Sequence, residues 1–213
     1  MEISITLVII VITIIVSLLG FNSQKLIDDL IFYGPAISKR NQYYRFITCG
    51  LIHADFMHLA FNMFALYGFG VILEKYLFAD PRVFNSEAGY YYVMLYIGAL
   101  IISIIPDYFK HKEDYYYRSL GASGAVSAVI FACIVLAPTI PISFYFLPGI
   151  PGWIFGILYL GISAYLNKQG GGNINHGAHL WGALFGIIFT ILFVSLKGDI
   201  NVLQNFIDNI SAR

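Results

Sequence analysis

Three short stretches of this sequence hold residue types that could do chemistry. One carries His53, His58 and Asn62; the second Gly121, Ser123 and Gly124; the third Ala178, His179, Gly182 and Gly186. A serine with a histidine supplies the parts of a nucleophile–base pair. Each stretch stands at the start of an apolar run long enough to cross a bilayer. A hydroxyl, imidazoles and a carboxamide are thereby set within hydrocarbon, where polar groups are costly and functional by default. The combination reads as proteolytic chemistry carried out inside a membrane.

The elements that must position these residues are six apolar runs, near residues 3–20, 56–73, 89–105, 119–137, 148–166 and 177–196. Each approaches the roughly 17–25 residues that a spanning helix needs. The first run has neither a basic leading segment nor a small-residue cleavage site, and reads as a retained span. Spans alternate in direction, so the second, fourth and sixth enter from one side and their motifs share one membrane surface. Counted at 1.5 Å per residue from Arg118 and Asn175, Ser123 and His179 lie at matching depths of roughly 6–8 Å. His58 and Asn62, four apart, share a helix face; His53 precedes that helix. Gly124, Ala128 and Ala132 make a small-residue stripe on the fourth span, and Ala178, Gly182 and Gly186 make another on the sixth. Packing stripe on stripe would let the two backbones approach closely and bring hydroxyl beside imidazole.

Composition fits this setting. Hydrophobic residues make up 59% of the 213 and charged residues 11%, where a soluble domain carries roughly 25% charge. Mean hydropathy is +0.76. Twelve Lys and Arg balance twelve Asp and Glu, which points to no nucleic-acid surface. Cys49 and Cys133 suggest neither a disulfide framework nor a metal knuckle. Residues 1–213 read as one membrane domain. In the first loop, Leu26, Ile27, Leu30 and Ile31 recur at helical spacing around Asp28 and Asp29, which suggests an interfacial helix. Residues 138–152 hold Pro138, Pro141, Pro148 and Pro151 and form a turn-rich connector. Gly170, Gly171 and Gly172 form a candidate lid beside the third stretch.

Taken singly, each motif has a bland reading. A Gly-Ala-Ser-Gly run in an apolar helix is ordinarily packing. A membrane histidine, or a His58–Asn62 pair, can serve only to bridge helices. The bland reading weakens when all three occur on same-direction spans at one depth. Other intramembrane chemistries lack their parts. Every Asp and Glu falls in a loop or at a span edge, which disfavours an aspartyl protease or a proton-coupled transporter. No His-Glu-x-x-His occurs. His53, His58, His176 and His179 lie near one surface, but without carboxylate or thiolate help they make a poor metal site. No cofactor is expected.

In this combination and order, the motifs resemble those of the rhomboid intramembrane serine proteases, over nearly the whole chain. The resemblance implies an all-α membrane protein with a six-transmembrane-helix bundle and a Ser123–His179 dyad. It implies an oxyanion held by the Ser123 N–H with the side chains of His58 and Asn62, and supporting roles for His53, Gly121, Gly124, Gly182 and Gly186. Arg45, with Tyr44, resembles the family's first-loop aromatic–Arg pair, and Glu74 the acid that ends the second helix. One position departs from the pattern. Many members carry an aromatic residue four positions after the serine, stacked on the histidine; this chain has Ser127 there.

The function so implied is a serine endopeptidase that cuts transmembrane segments of other membrane proteins. Its partners would be those substrates and the surrounding lipid, with no nucleic acid and no metal. Its rivals are a non-catalytic rhomboid-like protein that binds membrane clients and a small polar-solute channel. The resemblance also implies a bacterial plasma (inner) membrane, with both chain ends in the cytoplasm. Charge opposes that orientation. It leaves Lys75, Arg82, Lys197 and Arg213 inside, against Lys25, Lys39, Arg40, Arg45, Lys110, Lys112, Arg118 and Lys168 outside. That reverses the positive-inside bias.

Overall fold

A computed structural model describes residues 3–143, 148–170 and 174–212. The first apolar helix, α1 (Ile5–Phe21), leads into three short helices of the first loop: α2 (Gln24–Leu30), α3 (Gly34–Arg40) and α4 (Arg45–Thr48). Next comes α5 (Phe56–Ile72), which runs on through a π-helical turn, Leu73–Leu77. Two long elements follow, α6 (Ala88–His111) and α7 (Ser123–Leu136). The connector after α7 makes a minimal antiparallel pair, β1 (Pro141–Ile142) with β2 (Ile150–Pro151). The chain then forms α8 (Gly152–Gln169), α9 (His176–Lys197) and α10 (Val202–Ser211). All six expected spans have their helix. Those at 56–77, 85–111 and 176–197 are long and apolar enough to cross a membrane, and α1 and α7 are shorter apolar helices. Gly171 and Gly172, two thirds of the expected lid, lie outside the described residues.

At the centre of the bundle stands α7. Every residue from Gly124 to Leu136 is buried, with α5, α6, α8 and α9 around it. Small side chains make this possible: Gly124, Ala125, Ala128 and Ala132 let neighbouring helices come close. The lipid-facing surface is correspondingly apolar on the outer helices, with Phe61, Phe64 and Tyr67 of α5 and Ile157, Ile162 and Tyr165 of α8 exposed.

Two charged side chains expected to support the site are buried and tie remote segments together. Glu74 does not end the second helix, which continues to Leu77. Its carboxylate reaches back to the start of α1, whose first turn has no side-chain cap of its own. Oε1 accepts the Ile5 N–H at 2.9 Å. Oε2 accepts from the Thr6 N–H (2.9 Å) and from the hydroxyls of Ser4 (2.7 Å) and Thr6 (2.8 Å). Orphan donors at a helix start are thus satisfied by an acid 68–70 residues away in sequence. Arg45 serves the opposite helix end. Its Nη1 donates to the carbonyls of Asp28 (2.8 Å) and Ile31 (2.7 Å) at the end of α2, and its Nε donates to Gln42. The guanidinium lies 5.5 Å from the Tyr44 ring centre, so the expected aromatic–Arg pair is in contact.

Sequence and structure also part elsewhere. The run read as ending near 105 carries on through Pro106 to His111. The fourth span starts at Ser123, not near 119. An unanticipated amphipathic helix, α10, packs back on the bundle through Val202 and Phe206, with Asn205 donating to the Leu136 carbonyl.

Candidate active site

Ser123 owes its place to the segment before it. Residues 119–122 precede the helix, and the first loop holds Ser119, Gly121 and Ala122 through hydrogen bonds. Ser119 exchanges both backbone hydrogen bonds with Phe32 (3.0 and 3.3 Å), and the Gly121 N–H donates to the Cys49 carbonyl at 2.8 Å. The Ala122 N–H donates to His53 Nε2 at 3.4 Å. Gly121 sits at φ +113°, a conformation open to glycine, and a Cβ there would come within 2.7 Å of His58 Cε1. The chain thus turns at Gly121, and the hydrogen-bonded helix begins at Ser123. Ala122 offers no side chain to cap α7. Among the described residues the Ser123 N–H, at the positive end of the helix, therefore has no partner.

His53 is buried at 1% exposure. Its Nδ1 lies 3.0 Å from Ser17 Oγ, whose own proton goes to the Leu51 carbonyl. The ring must then donate from Nδ1 to Ser17 and accept at Nε2 from Ala122, which fixes a neutral tautomer. Burial, with His58 adding a smaller effect, lowers its pKa to about 3. His53 thus links α1 to the residue just before Ser123. Its ring also meets the edge of His58, with centres 4.9 Å apart. On α5, Asp55 caps the helix by accepting the His58 N–H, and the His58 ring lies against Gly121. Asn62 is buried, and its Nδ2 donates to the His58 carbonyl at 2.9 Å. One proton of that amide stays within α5, which leaves the other for a ligand.

The expected stripe packing is present. A Cβ on Gly182 would overlap the Gly124 carbonyl, and one on Gly186 would overlap that of Ala128. Gly124 also approaches the Ala178 carbonyl, so Ser123 and His179 each adjoin a residue of a touching pair. The His179 ring is stacked on Tyr159 of α8, at 6.1 Å and 25°, and edge-on to His176 at 5.7 Å. Tyr159 Oη lies 2.6 Å from Ser127 Oγ, which donates to the Ser123 carbonyl at 2.8 Å. The start of α9 is set by Asn175, whose Oδ1 accepts the Ala178 N–H at 2.9 Å. Its Nδ2 contacts the Asp107 carboxylate, and Tyr117 and Ser119 at 3.2 Å.

His53, His58, Gly121, Ser123, Gly124, His179 and Gly182 therefore gather at one end of the bundle, while Arg45 and Glu74 act at a distance from it. Among the described residues, neither the Ser123 hydroxyl nor the His179 ring forms a hydrogen bond. Beside Ser123 lies a cavity of about 20 Å³ bordered by Ser103, Ser119, Gly121 and Asn175, room for one water. Among the described residues, no three His, Cys, Asp or Glu side chains converge as metal ligands. Sequence reasoning missed Tyr159 and Asn175. An asparagine just ahead of an apolar run is a recognisable helix cap; nothing marks Tyr159.

Residues 40–196 match the Rhomboid domain family. Among curated proteins, the chain is 27% identical over 185 residues to RHOMBOID-like protein 12, mitochondrial, of Arabidopsis thaliana, covering 79% of this chain and 51% of that one. It is 29% identical over 158 residues to the Putative rhomboid protease YdcA of Bacillus subtilis, covering 73% and 70%. It is 30% identical over 142 residues to the Presenilin-associated rhomboid-like protein, mitochondrial, of Rattus norvegicus, covering 63% and 34%. The chain thus spans about half the length of the Arabidopsis relative and about a third of the rat one.

Proposed function

The chain belongs to the rhomboid family, and from that premise we propose that it is an intramembrane serine endopeptidase that cuts transmembrane segments of membrane proteins. It is a multi-pass membrane protein, and we assign it to a bacterial plasma (inner) membrane, with residues 1–213 acting as one rhomboid-like domain. The observation that carries the reading is the uncapped start of α7. There a serine whose hydroxyl and N–H have no hydrogen-bond partner among the described residues adjoins the backbone contact of α7 with α9, the helix that carries His179.

In this reading Ser123 Oγ attacks the scissile carbonyl. His179 takes the hydroxyl proton and returns it to the leaving amine. Among the described residues no carboxylate bonds the histidine, so packing orients it. Catalytic hydrogen bonds tighten once substrate is bound, and the unmade Ser123–His179 bond is compatible with the role. The Ser123 N–H, the His58 ring and the second amide proton of Asn62 stabilise the oxyanion. Such donors are worth most in a site screened from bulk water. The cavity beside Ser123 supplies the water that releases the acyl-enzyme. Substrates are transmembrane helices with weak, Gly- or Pro-containing ends, because a peptide bond must leave its helix before it can be attacked.

A fluorophosphonate probe on the purified protein tests the assignment. Labelling at Ser123, lost in both Ser123→Ala and His179→Ala while the variants stay folded and inserted, is the expected result. Equal labelling of Ser123→Ala would overturn the nucleophile. A wild-type protein that neither labels nor cleaves, yet retains transmembrane clients, would belong to the non-catalytic client-binding members instead.

A further inference from the structure

We propose that Tyr159 is a positioning residue that sets the angle of the His179 imidazole, and that Ser127 holds Tyr159 in place. The proposal rests on the protease reading above and extends it to a residue on a third helix. His179 has no carboxylate partner and no ring hydrogen bond among the described residues, so contact surfaces must orient it. The broad contact is with Tyr159. The two rings are 25° from parallel at 6.1 Å, within the range of offset stacking. His176 touches only an edge, at 82°.

The Tyr159 ring is itself restrained on two sides. Phe131 of α7 lies 5.6 Å away and Phe155 of α8 5.7 Å away. The hydroxyl provides the directional restraint. Ser127 Oγ has one proton, and the Ser123 carbonyl 2.8 Å away can only accept it. Across the 2.6 Å contact, Tyr159 must therefore donate to Ser127. A continuous relay results: Tyr159 O–H to Ser127 Oγ, and Ser127 O–H to the backbone of Ser123. The ring that fixes the base is thus tied to the main chain of the nucleophile, so base and nucleophile shift together. Ser127 is 1% exposed; a larger side chain there would displace the Tyr159 hydroxyl.

The test uses the full chain in liposomes, the fluorophosphonate probe, and a model transmembrane peptide with a Gly-Pro-containing end. Tyr159→Leu should lower kcat and the labelling rate by at least about tenfold, the scale on which misplacing a catalytic group acts, with KM within twofold. Tyr159→Phe keeps the ring and should recover most of that loss. Ser127→Ala, Tyr159→Phe and the double variant should show equal, non-additive losses, because each breaks the same relay. Tyr159→Leu labelled as fast as wild type would overturn the proposal. So would additive losses in the double variant, or a raised KM at unchanged kcat. Should Tyr159→Leu fail to fold, the relay variants decide alone. A wild type that does not label at Ser123 removes the protease reading and this proposal with it; a wild type that labels, with indifferent Tyr159 variants, removes only the proposal.

Discussion

Gly124 and Gly182 meet backbone to backbone: a Cβ on residue 182 would occupy the space of the Gly124 carbonyl. The contact repeats one turn on, where Gly186 meets Ala128. Main-chain approach of this kind holds Ser123 and His179 on facing first turns of α7 and α9.

Gly182→Ala should therefore cost more activity than stability. Overpacking typically costs about 1–3 kcal/mol, which the bundle should survive as a lowered melting temperature. The added methyl would drive α7 from α9 beside Ser123 and His179, the proposed dyad. Cleavage should fall by about 10²-fold, the cost of a misplaced catalytic group. Full activity in a folded, inserted Gly182→Ala protein would contradict the contact.

His58→Ala and Asn62→Ala should lower kcat and leave KM nearly unchanged. For His58 the expected loss is about 10²–10³-fold, that of an oxyanion donor. Asn62 already spends one proton on the His58 carbonyl, so its removal also loosens His58, and the two losses should combine non-additively. Raised KM at constant kcat would make both residues substrate contacts.

Acid should destabilise the fold through His53. Its pKa stands near 6.5 when unfolded and about 3 when folded. The unfolded chain binds the proton first, so stability is whole above about pH 6.5 and falls as pH drops towards 3. At pH 5 the loss from this group is about 2 kcal/mol by linkage. Melting curves from pH 7 to 4 should show the decline. His53→Asn should lower stability at pH 7 and flatten its dependence on pH; an unchanged slope would place the titration elsewhere.

Orientation is open to a direct measurement. By the alternation of spans, Gln169 lies on the side of the Ser123 site and Ser86 on the other. Both native cysteines are buried, and burial pushes the Cys49 thiol up to about 12, which keeps it out of the reactive thiolate form. An impermeant thiol reagent on intact cells should label Gln169→Cys and spare Ser86→Cys. The reverse pattern would follow the positive-inside rule and turn the site to the cytoplasm.

The bundle was legible because lipid imposes a simple code. Long apolar runs must be helices, and small residues at four-residue spacing mark where those helices touch. The stripes of α7 and α9 pack as their spacing implies. Hydropathy could not place the start of α7: residues 119–122 continue the apolar run, but hydrogen bonds to Phe32, Cys49 and His53 hold them outside the helix. The third run was placed as ending near 105, yet α6 continues through Pro106 to His111. Glu74 was read by its position on its own helix, while its partners lie at the start of α1. Tyr159 reaches His179 from another helix, and no periodicity encodes a contact across 20 residues. α10 left a signal in Asn201 ahead of Val202, Phe206 and Ile210, but ten residues are too few to stand out beside the spans.

The 14 residues of α7 reach about 21 Å at 1.5 Å per residue, against a hydrocarbon core of about 30 Å. A lipid-facing helix of that length would pull the leaflets inward or force its neighbours to compensate. α7 is not such a helix: its neighbours bury it from Gly124 to Leu136. Tilting of the outer helices would take up a change in bilayer thickness, while the surroundings of α7 are made of protein. Longer or shorter lipid tails would then alter how a substrate helix is presented at the protein's rim, and leave the spacing of Ser123 and His179 as their packing sets it.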